Sequence, residues 1–308
     1  MSHRRSPSLR GPHGVLALLT LSLIAACGTH ESHDSRESGS ATLTFSAIPD
    51  QDSTELRERY ALVAEHLSER LGVPVEYWHA TDYTASVEAF KNGDVHLAWF
   101  GGVTGVRARR AVDGARAIAQ GRVDPAFKSY FVANADTGIE PGDEFPVEMA
   151  GRTFTFGSAE STSGRLMPEF FLREATGQSP EGFFGQAPAF SGDHTLTAKQ
   201  VESGAFECGA LNYKVYDSMV ASGKLDPARC VKVWTTPPYA DYNWTAHPDL
   251  EEVFGAGFTS RLRDALVGIT DAAVLEALGR PEGLIPAEDD DFAAIEETMI
   301  RIGRLDPR

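Results

Sequence analysis

Strand-like and helix-like patterns of apolar residues alternate along the chain from residue 43 onward. Leu43 to Ile48 alternates as a half-buried strand does, and Val95 to Phe100 is an apolar run typical of a buried strand. Asp52 stands at the capping position of an intervening helix, and Gly72 follows that helix. One face of this helix is apolar and consists of Leu56, Tyr60, Val63, Leu67 and Leu71. The alternation predicts an α/β fold in which crossover helices join parallel strands.

The same alternation starts again near residue 150 and predicts a second lobe. Its strands are expected at Thr153–Phe156, Gln186–Phe190, Phe206–Leu211 and Val231–Thr235. The segment after residue 249 is predicted to be helical and to lack strands, so it must pack on a sheet formed by the rest of the chain. We therefore expect residues 42–127 with 240–308 to form lobe 1 and residues 128–239 to form lobe 2. Two crossing strands between the lobes would make a hinge, and ligands of such folds bind in the cleft at the carboxyl ends of the strands.

Residues 1–27 have the pattern of an export signal, with three arginines before an apolar run from Val15 to Ala26. This run is too short to span a bilayer, and no later segment is apolar enough to do so. The small residues before Cys27 resemble a bacterial lipobox, which would make Cys27 the lipidated N-terminus. The alternative is an ordinary signal peptide that is cut nearby. We expect an exported protein that is lipid-anchored to the outer face of the cell membrane or is periplasmic.

A polar segment, residues 28–41, follows the predicted signal and has no apolar period. Such a composition cannot bury a core, so a flexible tether is expected. His30 and His33 lie in this segment and could bind a metal, but a solvated linker is the simpler interpretation.

The chain is strongly acidic, which limits its partners. Its formal net charge is −16, and because residues 1–27 hold three arginines and no acid, the remainder carries −19. Such a surface repels nucleic acids and anionic lipids. An anionic ligand would have to be held by local dipoles and neutral donors. The sequence has no recognisable motif for a metal or a cofactor, so neither is expected, and a monomer is expected.

Two cysteines lie in the predicted second lobe. Cys208 and Cys230 each stand near the start of a predicted strand, with a helix between them. If these strands were parallel neighbours, the two thiols would meet, and export would favour a disulfide. The alternative is two buried free thiols.

The turn Ser161-Thr162-Ser163-Gly164 follows a predicted strand and leads into a helix. A helix start has free backbone N–H groups and a positive dipole end, which together attract anions. A helix cap uses one hydroxyl, whereas this turn offers three. Pro168 predicts that the regular helix begins near Met167, after an irregular first turn. We expect Ser161, Thr162 and Ser163 to line an anion pocket.

Other turns at strand ends are weaker candidates for the cleft. Asp50 and Thr104 lie in such turns, although a threonine there more often caps its own helix. His194 follows another strand and offers an imidazole, although a lone loop histidine is more often structural. Tyr83 and Tyr242 are aromatic residues next to turns. The segment from Tyr239 to Trp244 is polar for a core strand, so a cleft rim is expected rather than core packing.

Catalysis has little support in the sequence. Ser161 and His194 could be imagined as a nucleophile and its base, but no orienting partner or oxyanion loop accompanies them. The common motifs of metalloproteases, α/β-hydrolases and P-loop enzymes do not occur.

Several motifs occur in the order that is known from one family. They are Ser46 to Asp50, Thr81 to Tyr83, Asp94 to Gly101, Ser161 to Gly164, Phe190 to His194, and Thr235 to Pro238. In this order they resemble the phosphonate-binding-protein family, the periplasmic substrate-binding proteins of ABC importers for phosphonate, phosphite and related oxyanions. The resemblance covers nearly the whole chain after the signal. The segment around Pro237-Pro238 is most similar to a branch named for selenate transport.

The resemblance implies a type II two-lobed periplasmic-binding-protein fold that closes on a small oxyanion and then presents it to an ABC permease in the membrane. It implies that the Ser161 turn holds the oxyanion, and that Tyr83 and His194 donate hydrogen bonds across the cleft. Asn212 stands where the family often has an acidic residue that holds a ligand amine. We therefore expect a small inorganic oxyanion to be preferred over aminoalkyl phosphonates. The alternatives are an enzyme on the same fold that uses Ser161 and a ligand receptor for a membrane sensor.

Overall fold

The computed structural model describes residues 41–307, and the strands in this part of the chain form two separate sheets. The predictions for residues 1–40, which include the signal, Cys27 and all but the last residue of the tether, lie outside the described residues. In chain order the strands are β1 (Leu43–Ala47), β2 (Val75–His79), β3 (Leu97–Phe100), β4 (Arg116–Gly121), β5 (Ser129–Asn134), β6 (Phe154–Phe156), β7 (Ala189–Phe190), β8 (Cys208–Asn212), β9 (Cys230–Thr235), β10 (Asn243–Ala246) and β11 (Leu284–Pro286). The sheet of lobe 1 has the order β11-β4-β10-β3-β1-β2, and that of lobe 2 has the order β7-β6-β8-β5-β9.

Helices flank both sheets. They are α1 (Ser53–Leu71), α2 (Tyr83–Lys91), α3 (Gly102–Ala111), α4 (Met167–Thr176), α5 (Pro180–Phe184), α6 (His194–Glu202), α7 (Tyr213–Ala221), α8 (Leu250–Phe254), α9 (Phe258–Val267), α10 (Ala272–Ala277) and α11 (Ala293–Arg301). Within residues 41–307, none of these helices has the length and apolar character that crossing a membrane would require.

Helix α1 forms as its sequence predicts. The Asp52 carboxylate accepts the backbone N–H groups of Thr54 and Glu55 at 2.9 and 3.2 Å, which satisfies two free donors of the first turn. Gly72 ends the helix in the left-handed region with φ of 70°, a conformation that glycine adopts without a steric cost. The buried face consists of Leu56, Tyr60, Val63 and Leu67, as expected.

The two sheets are mixed, and the expectation of parallel sheets is wrong at two central strands. Strand β10 lies antiparallel between β3 and β4, and β5 lies antiparallel between β8 and β9. A parallel pair needs a crossover connection, usually a helix. Both strands instead follow segments without an α-helix that cross from one sheet to the other, so they enter their sheets in the opposite direction.

The C-terminal part of the chain also differs from the prediction. It contributes β11 to the lobe 1 sheet, although only helices were expected after residue 249, and β10 forms at the end of the segment that was expected to be a cleft rim. The helix predicted over 250–269 is divided into α8 and α9, because Gly255 and Gly257 both adopt positive φ angles between them. Trp244 is fully buried in β10 and packs on Phe45 and Trp99, so it is a core residue and the predicted cleft rim is wrong for it.

Of the two alternatives left open for Cys208 and Cys230, the disulfide is not formed. Cys208 pairs with Ala133 on one side of β5, and Cys230 pairs with Asn134 on its other side. Neighbouring strands are about 4.8 Å apart, so the two cysteines are separated by about twice that distance. A disulfide requires Cα atoms within about 7 Å. Both residues are buried free thiols, because strand β5 lies between the strands that were expected to be neighbours.

Side chains of β5 show how the lobe 2 sheet is buried on both faces. Phe131 and Ala133 belong to one hydrophobic cluster, and Tyr130 and Val132 belong to the cluster on the opposite face. This alternation follows from the period of two in a strand. Both faces are covered by helices, as expected for strands that are apolar throughout.

Candidate functional site

Two chain segments cross between the sheets side by side, at residues 122–128 and 236–242. Phe127 and Tyr239 exchange backbone hydrogen bonds of 2.8 and 3.0 Å, and the Asp241 N–H donates to the Asp124 carbonyl at 3.1 Å. The Thr236 N–H donates to the Ser129 carbonyl at 3.0 Å. The crossings therefore form one hydrogen-bonded hinge, and residues just beyond it face the cleft.

A buried ion pair fixes lobe 1 at this hinge. The Arg280 guanidinium contacts the Asp124 carboxylate at 2.7 to 3.0 Å, and both side chains are almost fully buried. The guanidinium also lies over the rings of Tyr242 and Trp99, at 4.8 and 5.2 Å. A Cβ atom at Gly121 would lie 2.5 Å from both the Arg280 and the Asp124 side chains, so only glycine permits this approach.

The Ser161 turn begins a short π-helical segment, Thr162–Leu166, before the regular helix α4. The predicted irregular first turn ahead of Pro168 is therefore confirmed. The Ser161 hydroxyl accepts the Gly164 N–H at 2.9 Å, which makes Ser161 the cap of this segment. Wide helical turns of this kind are frequent at functional sites.

The three hydroxyls of the turn have different partners. Ser161 caps the turn, and the Thr162 Oγ1 accepts the Val103 N–H from lobe 1 at 3.0 Å. The Ser163 Oγ is buried and has no hydrogen-bond partner among residues 41–307. The Ser129 hydroxyl donates to the Ser163 carbonyl at 2.6 Å, and this bond holds the Ser163 backbone in place. Ser163 therefore offers a free, held hydroxyl.

Helix α3 begins against this turn, from the opposite lobe. The Gly102 N–H donates to the Asp241 Oδ1 at 2.9 Å, next to the contact of Val103 with Thr162. A Cβ atom at Gly101 would lie 3.1 Å from Asp241 Oδ1 and 3.2 Å from Thr162 Oγ1, so the glycine allows the two lobes to meet. The Thr104 hydroxyl donates to the Gly101 carbonyl at 3.2 Å, so its proton is bonded within the first turn of α3.

Asp241 is a residue of this site that the sequence analysis did not single out. It is buried, and its Oδ2 atom has no hydrogen-bond partner in the described part of the chain. Burial raises the pKa of its carboxyl to about 7, although the Gly102 N–H and the neighbouring Thr162 and Ser163 hydroxyls act in the opposite direction. An acidic residue between aromatic residues after Pro237-Pro238 was the only sequence signal for it.

His194 is fully buried at the start of α6, close to the Ser161 turn. Its Nδ1 accepts the Asn212 N–H at 3.3 Å, so a neutral ring carries its proton on Nε2. Burial lowers the pKa of His194 to about 4, only partly opposed by Asp50, so the ring is neutral at pH 7. The Nε2 atom is buried and finds no acceptor among the residues that the structure describes. His194 is thus a neutral donor.

Tyr83 reaches the same turn from lobe 1. Its hydroxyl is buried and, within residues 41–307, has no hydrogen-bond partner. Burial and the charge of Asp50 raise the pKa of Tyr83, while the nearby Ser161 hydroxyl lowers it. The phenol therefore keeps its proton and can donate it.

Three neutral donors and one carboxylate oxygen thus surround the Ser161 turn without partners of their own: Ser163 Oγ, Tyr83 Oη, His194 Nε2 and Asp241 Oδ2. Buried polar groups in proteins are almost always hydrogen-bonded. Leaving such a group without a partner costs about 1–3 kcal/mol, so several together indicate a site built for a polar ligand. Donors from both lobes suit an anion, and the carboxylate suits a protonated oxygen on it.

The remaining predicted residues form a hydrogen-bonded chain beside the turn. The Tyr242 hydroxyl donates to the Asp50 Oδ2 at 2.6 Å and accepts from the Asn212 Nδ2 at 3.0 Å. The Asp50 carbonyl accepts the His194 N–H at 3.0 Å. Asp50, Tyr242 and Asn212 also line a cavity of about 650 Å³ between the lobes. The structure therefore brings these three residues together beside the Ser161 turn, in a cavity whose lining does not include Ser163, Tyr83, His194 or Asp241.

A serine hydrolase arrangement is not present in the described residues. The Ser161 hydroxyl caps the turn, and the His194 Nδ1 is occupied by the Asn212 N–H. No carboxylate orients the ring, as a nucleophile–base pair would need. Residues 41–307 also contain no cluster of His, Cys, Asp or Glu side chains suited to a metal ion.

The chain is similar to known binding proteins of ABC transporters. A family model described as the periplasmic substrate-binding protein of a phosphonate ABC transporter matches residues 45–292. The probable ABC transporter phosphite-binding protein PhnD1 of Prochlorococcus marinus strain MIT 9301 is 36% identical over 270 residues, which are 85% of this chain and 90% of that protein. The phosphate-import protein PhnD of Mycolicibacterium smegmatis is 29% identical over 294 residues, 89% of this chain and 90% of its own.

Solved structures show the same fold. The structure of PhnD1 from Prochlorococcus marinus in complex with methylphosphonate superposes with a TM-score of 0.81 at 36% identity, and the match covers 86% of this chain and 99% of that one. A binding protein component of an ABC phosphonate transporter from Pseudomonas aeruginosa superposes with a TM-score of 0.75 at 19% identity, covering 86% and 87% of the two chains. The predicted two-lobed α/β fold is confirmed by these matches.

Proposed function

Because the chain belongs to the family of periplasmic phosphonate-binding proteins of ABC transporters, whose members bind their substrates rather than convert them, we propose that it captures a small phosphorus oxyanion, a phosphite or a short phosphonate. The named ligands of one relative, PhnD1 of Prochlorococcus marinus, are phosphite and methylphosphonate, and both belong to this class. The observation that carries the proposal is the set of buried donors around the Ser161 turn that have no partner in the described protein.

The donors are neutral, which suits an acidic protein that binds an anion. The oxyanion is held by the Ser163 hydroxyl, the Tyr83 phenol and the His194 Nε2–H, with Ser161 and Thr162 shaping the turn that presents Ser163. Hydrogen bonds to a charged acceptor are about twice as strong as those between neutral groups. Three such bonds make the site tight without a lysine or an arginine.

The proposed donors come from both lobes, so binding of the anion would close the lobes around it. Lobe 2 supplies Ser163 and His194, whereas lobe 1 supplies Tyr83 and the start of α3. The anion docks on one lobe, and the hinge then brings the other donors to it. A closed, liganded protein presents one surface to an ABC permease, which is the proposed partner. A receptor for a membrane sensor would use the same closure, but the transporter family of the chain favours the permease.

The Asp241 carboxylate favours phosphorus oxyanions over the selenate that the sequence suggested. A phosphite or phosphonate monoanion keeps a proton on one oxygen and can donate it to Asp241 Oδ2. Sulfate and selenate have no proton near neutral pH, so their oxygens would face the carboxylate as a second acceptor and lose a hydrogen bond. The neutral Asn212 offers no charge to a ligand amine, so 2-aminoethylphosphonate is expected to bind weakly.

Isothermal titration calorimetry with phosphite, methylphosphonate, phosphate, 2-aminoethylphosphonate, sulfate and selenate tests the proposal. We expect phosphite or methylphosphonate to bind most tightly of these anions near pH 7, where part of each anion still carries a proton. Ser163→Ala removes one charge-assisted hydrogen bond and should weaken binding by 1.5–3 kcal/mol, about 10- to 150-fold. The matched control is Ser203→Ala, because Ser203 is exposed on lobe 2 and its hydroxyl bonds only the Gln200 carbonyl. Tight binding of selenate with no response to either phosphorus anion would contradict the proposal.

The location outside the cell rests on the family, whereas the lipid anchor is our proposal. Lipidation at Cys27 would tether the protein to the outer face of the membrane, and residues 28–41 would give it reach. Mass spectrometry of the protein from cell membranes should show a diacylglyceryl-modified Cys27, and Cys27→Ser should release the protein. A monomer is proposed as well, which light scattering of the purified protein checks.

A further inference from the structure

The chain after helix α11 passes over lobe 1 and reaches the binding turn of lobe 2. We call residues 302–307 the C-terminal strap. Two arginines of α3 hold its backbone: Arg107 donates to the Arg304 carbonyl at 3.2 Å, and Arg110 donates to the Asp306 carbonyl at 2.7 Å. Because these contacts are within lobe 1, the strap is anchored to that lobe.

Arg304 extends from the strap across the junction of the lobes. Its Nη2 donates to the Ala159 carbonyl at 2.5 Å and lies 3.7 Å from the Glu160 carboxylate. The Arg107 Nε lies 2.5 Å from the other oxygen of the same carboxylate. Two lobe 1 arginines therefore contact one turn of lobe 2.

This cluster is better shielded than the other ion pairs between the lobes. The side chains of Arg304, Glu160 and Arg107 are 19%, 23% and 33% exposed. The pair of Arg301 with Glu174 is 61% and 48% exposed, as expected for a pair that contributes little. The difference indicates that the strap contact is the stronger of the two.

The contact lies next to the binding residues of lobe 2 and therefore affects their position. Glu160 directly precedes Ser161, and the turn is closed by the Ser161 N–H, which donates to the Ser158 carbonyl at 3.0 Å. The Glu160 N–H is 3.3 Å from the Ser158 hydroxyl. A turn held at Ala159 and Glu160 therefore fixes where Ser161, and after it Ser163, stands.

We propose that Arg304 and Arg107 are positioning residues, which hold the anion-binding turn of lobe 2 from lobe 1 and so slow the release of the bound anion. The inference rests on the proposed function for the identity of the ligand. The arginines act through the turn and do not themselves contact the anion. The contact exists only while the lobes are together, so it resists opening and leaves docking on the open protein unchanged.

Stopped-flow fluorescence of the purified protein with methylphosphonate tests the role, because Trp99 stacks on Tyr242 in the cavity beside the Ser161 turn. Arg304→Ala is expected to raise the dissociation rate constant about 10-fold and to change the association rate constant less than 2-fold. The matched control is Arg263→Ala, since Arg263 pairs only with the exposed Asp264. Equal dissociation rates in Arg304→Ala and the unsubstituted protein would overturn the proposal.

Glu160→Gln supplies a second test of the same contact. The double variant of Glu160→Gln with Arg304→Ala should raise the dissociation rate constant by less than the product of the two single-variant factors, because both substitutions act on one contact. Fully independent effects would contradict a shared cluster.

Hydrogen–deuterium exchange in the presence of whichever anion of the calorimetric series binds, and so closes the lobes, keeps this test separate from the proposed function. Arg304→Ala should speed exchange of the amides in residues 157–164, and Arg263→Ala should not. If neither methylphosphonate nor phosphite binds the unsubstituted protein, the proposed function fails, while the exchange result still decides on the strap. Unchanged exchange in Arg304→Ala would overturn the positioning role.

Discussion

At the scale of single residues, we propose that Asp241 decides which anions the site accepts. Its Oδ1 bonds the Gly102 N–H from helix α3, and its Oδ2 is left for a ligand. A pKa raised to about 7 by burial means that the carboxyl can either accept or supply a proton under ordinary conditions. The site therefore suits an anion that shares one proton with Asp241.

Asp241→Asn should remove this selectivity. The amide can donate to a fully deprotonated oxygen, so sulfate affinity at pH 8 should rise about 10-fold or more, and methylphosphonate affinity should fall by a similar factor. In the unsubstituted protein sulfate should bind more tightly as the pH falls from 8 to 6, because protonated Asp241 becomes a donor. The variant should lack this pH dependence, and calorimetry at both pH values measures it. An unchanged ratio of sulfate to methylphosphonate affinity would contradict the role.

The pH dependence of the stability of the ligand-free protein tests the raised pKa of Asp241 independently. The pKa of Asp241 is raised on folding, so the folded state keeps a proton that the unfolded state loses from about pH 4 upward. Stability relative to Asp241→Asn should therefore fall between about pH 4 and pH 7, by up to ~1.4 kcal/mol per pH unit, and level off above pH 7. Urea unfolding at a series of pH values measures this difference.

At the scale of elements, the patterns with local causes were predictable. Helix α1 begins after Asp52 and ends at Gly72 because both signals lie within the helix and its caps. The irregular turn ahead of α4 follows from Pro168, which cannot continue a regular ladder of hydrogen bonds. The Ser161 turn was likewise recognised by its surplus of hydroxyls.

Features that depend on strand order were not predictable from the chain alone. Cys208 and Cys230 are separated by β5, whose place in the sheet no local pattern indicates. Asp241 meets Gly102 over 139 residues of sequence, so its burial and its role arise only when the two crossings come together. Trp244 looked like part of a polar rim because its neighbours are polar, although β10 carries it into the core.

At the scale of the whole molecule, the family resemblance supplied what the local patterns could not. The resemblance of the chain to the phosphonate-binding family is confirmed, and with it the two-lobed fold. Both lobes contribute to the proposed site, so its affinity should depend on how the hinge places them. The buried pair of Arg280 and Asp124 holds the first crossing segment against the rest of lobe 1 at the hinge.

Arg280→Met should destabilise the protein by about 3–5 kcal/mol, because it leaves the Asp124 carboxylate buried without its partner. The Asp124 backbone carbonyl also holds the Asp241 N–H, and Arg280 packs on the Tyr242 ring, so anion affinity should fall as well. Chemical unfolding and calorimetry with methylphosphonate measure the two effects. The matched control is Arg263→Met on the surface of lobe 1, which should change neither.

The double variant Arg280→Met with Asp124→Asn separates the charge from the packing. Replacing both partners removes the uncompensated carboxylate, so most of the lost stability should return. Anion affinity should recover less than stability, because methionine cannot lie over the Tyr242 ring as a cation. If the double variant were as unstable as Arg280→Met alone, the buried charge would not be the cause. If Arg280→Met kept full stability and affinity, the ion pair would have no part in fixing the hinge.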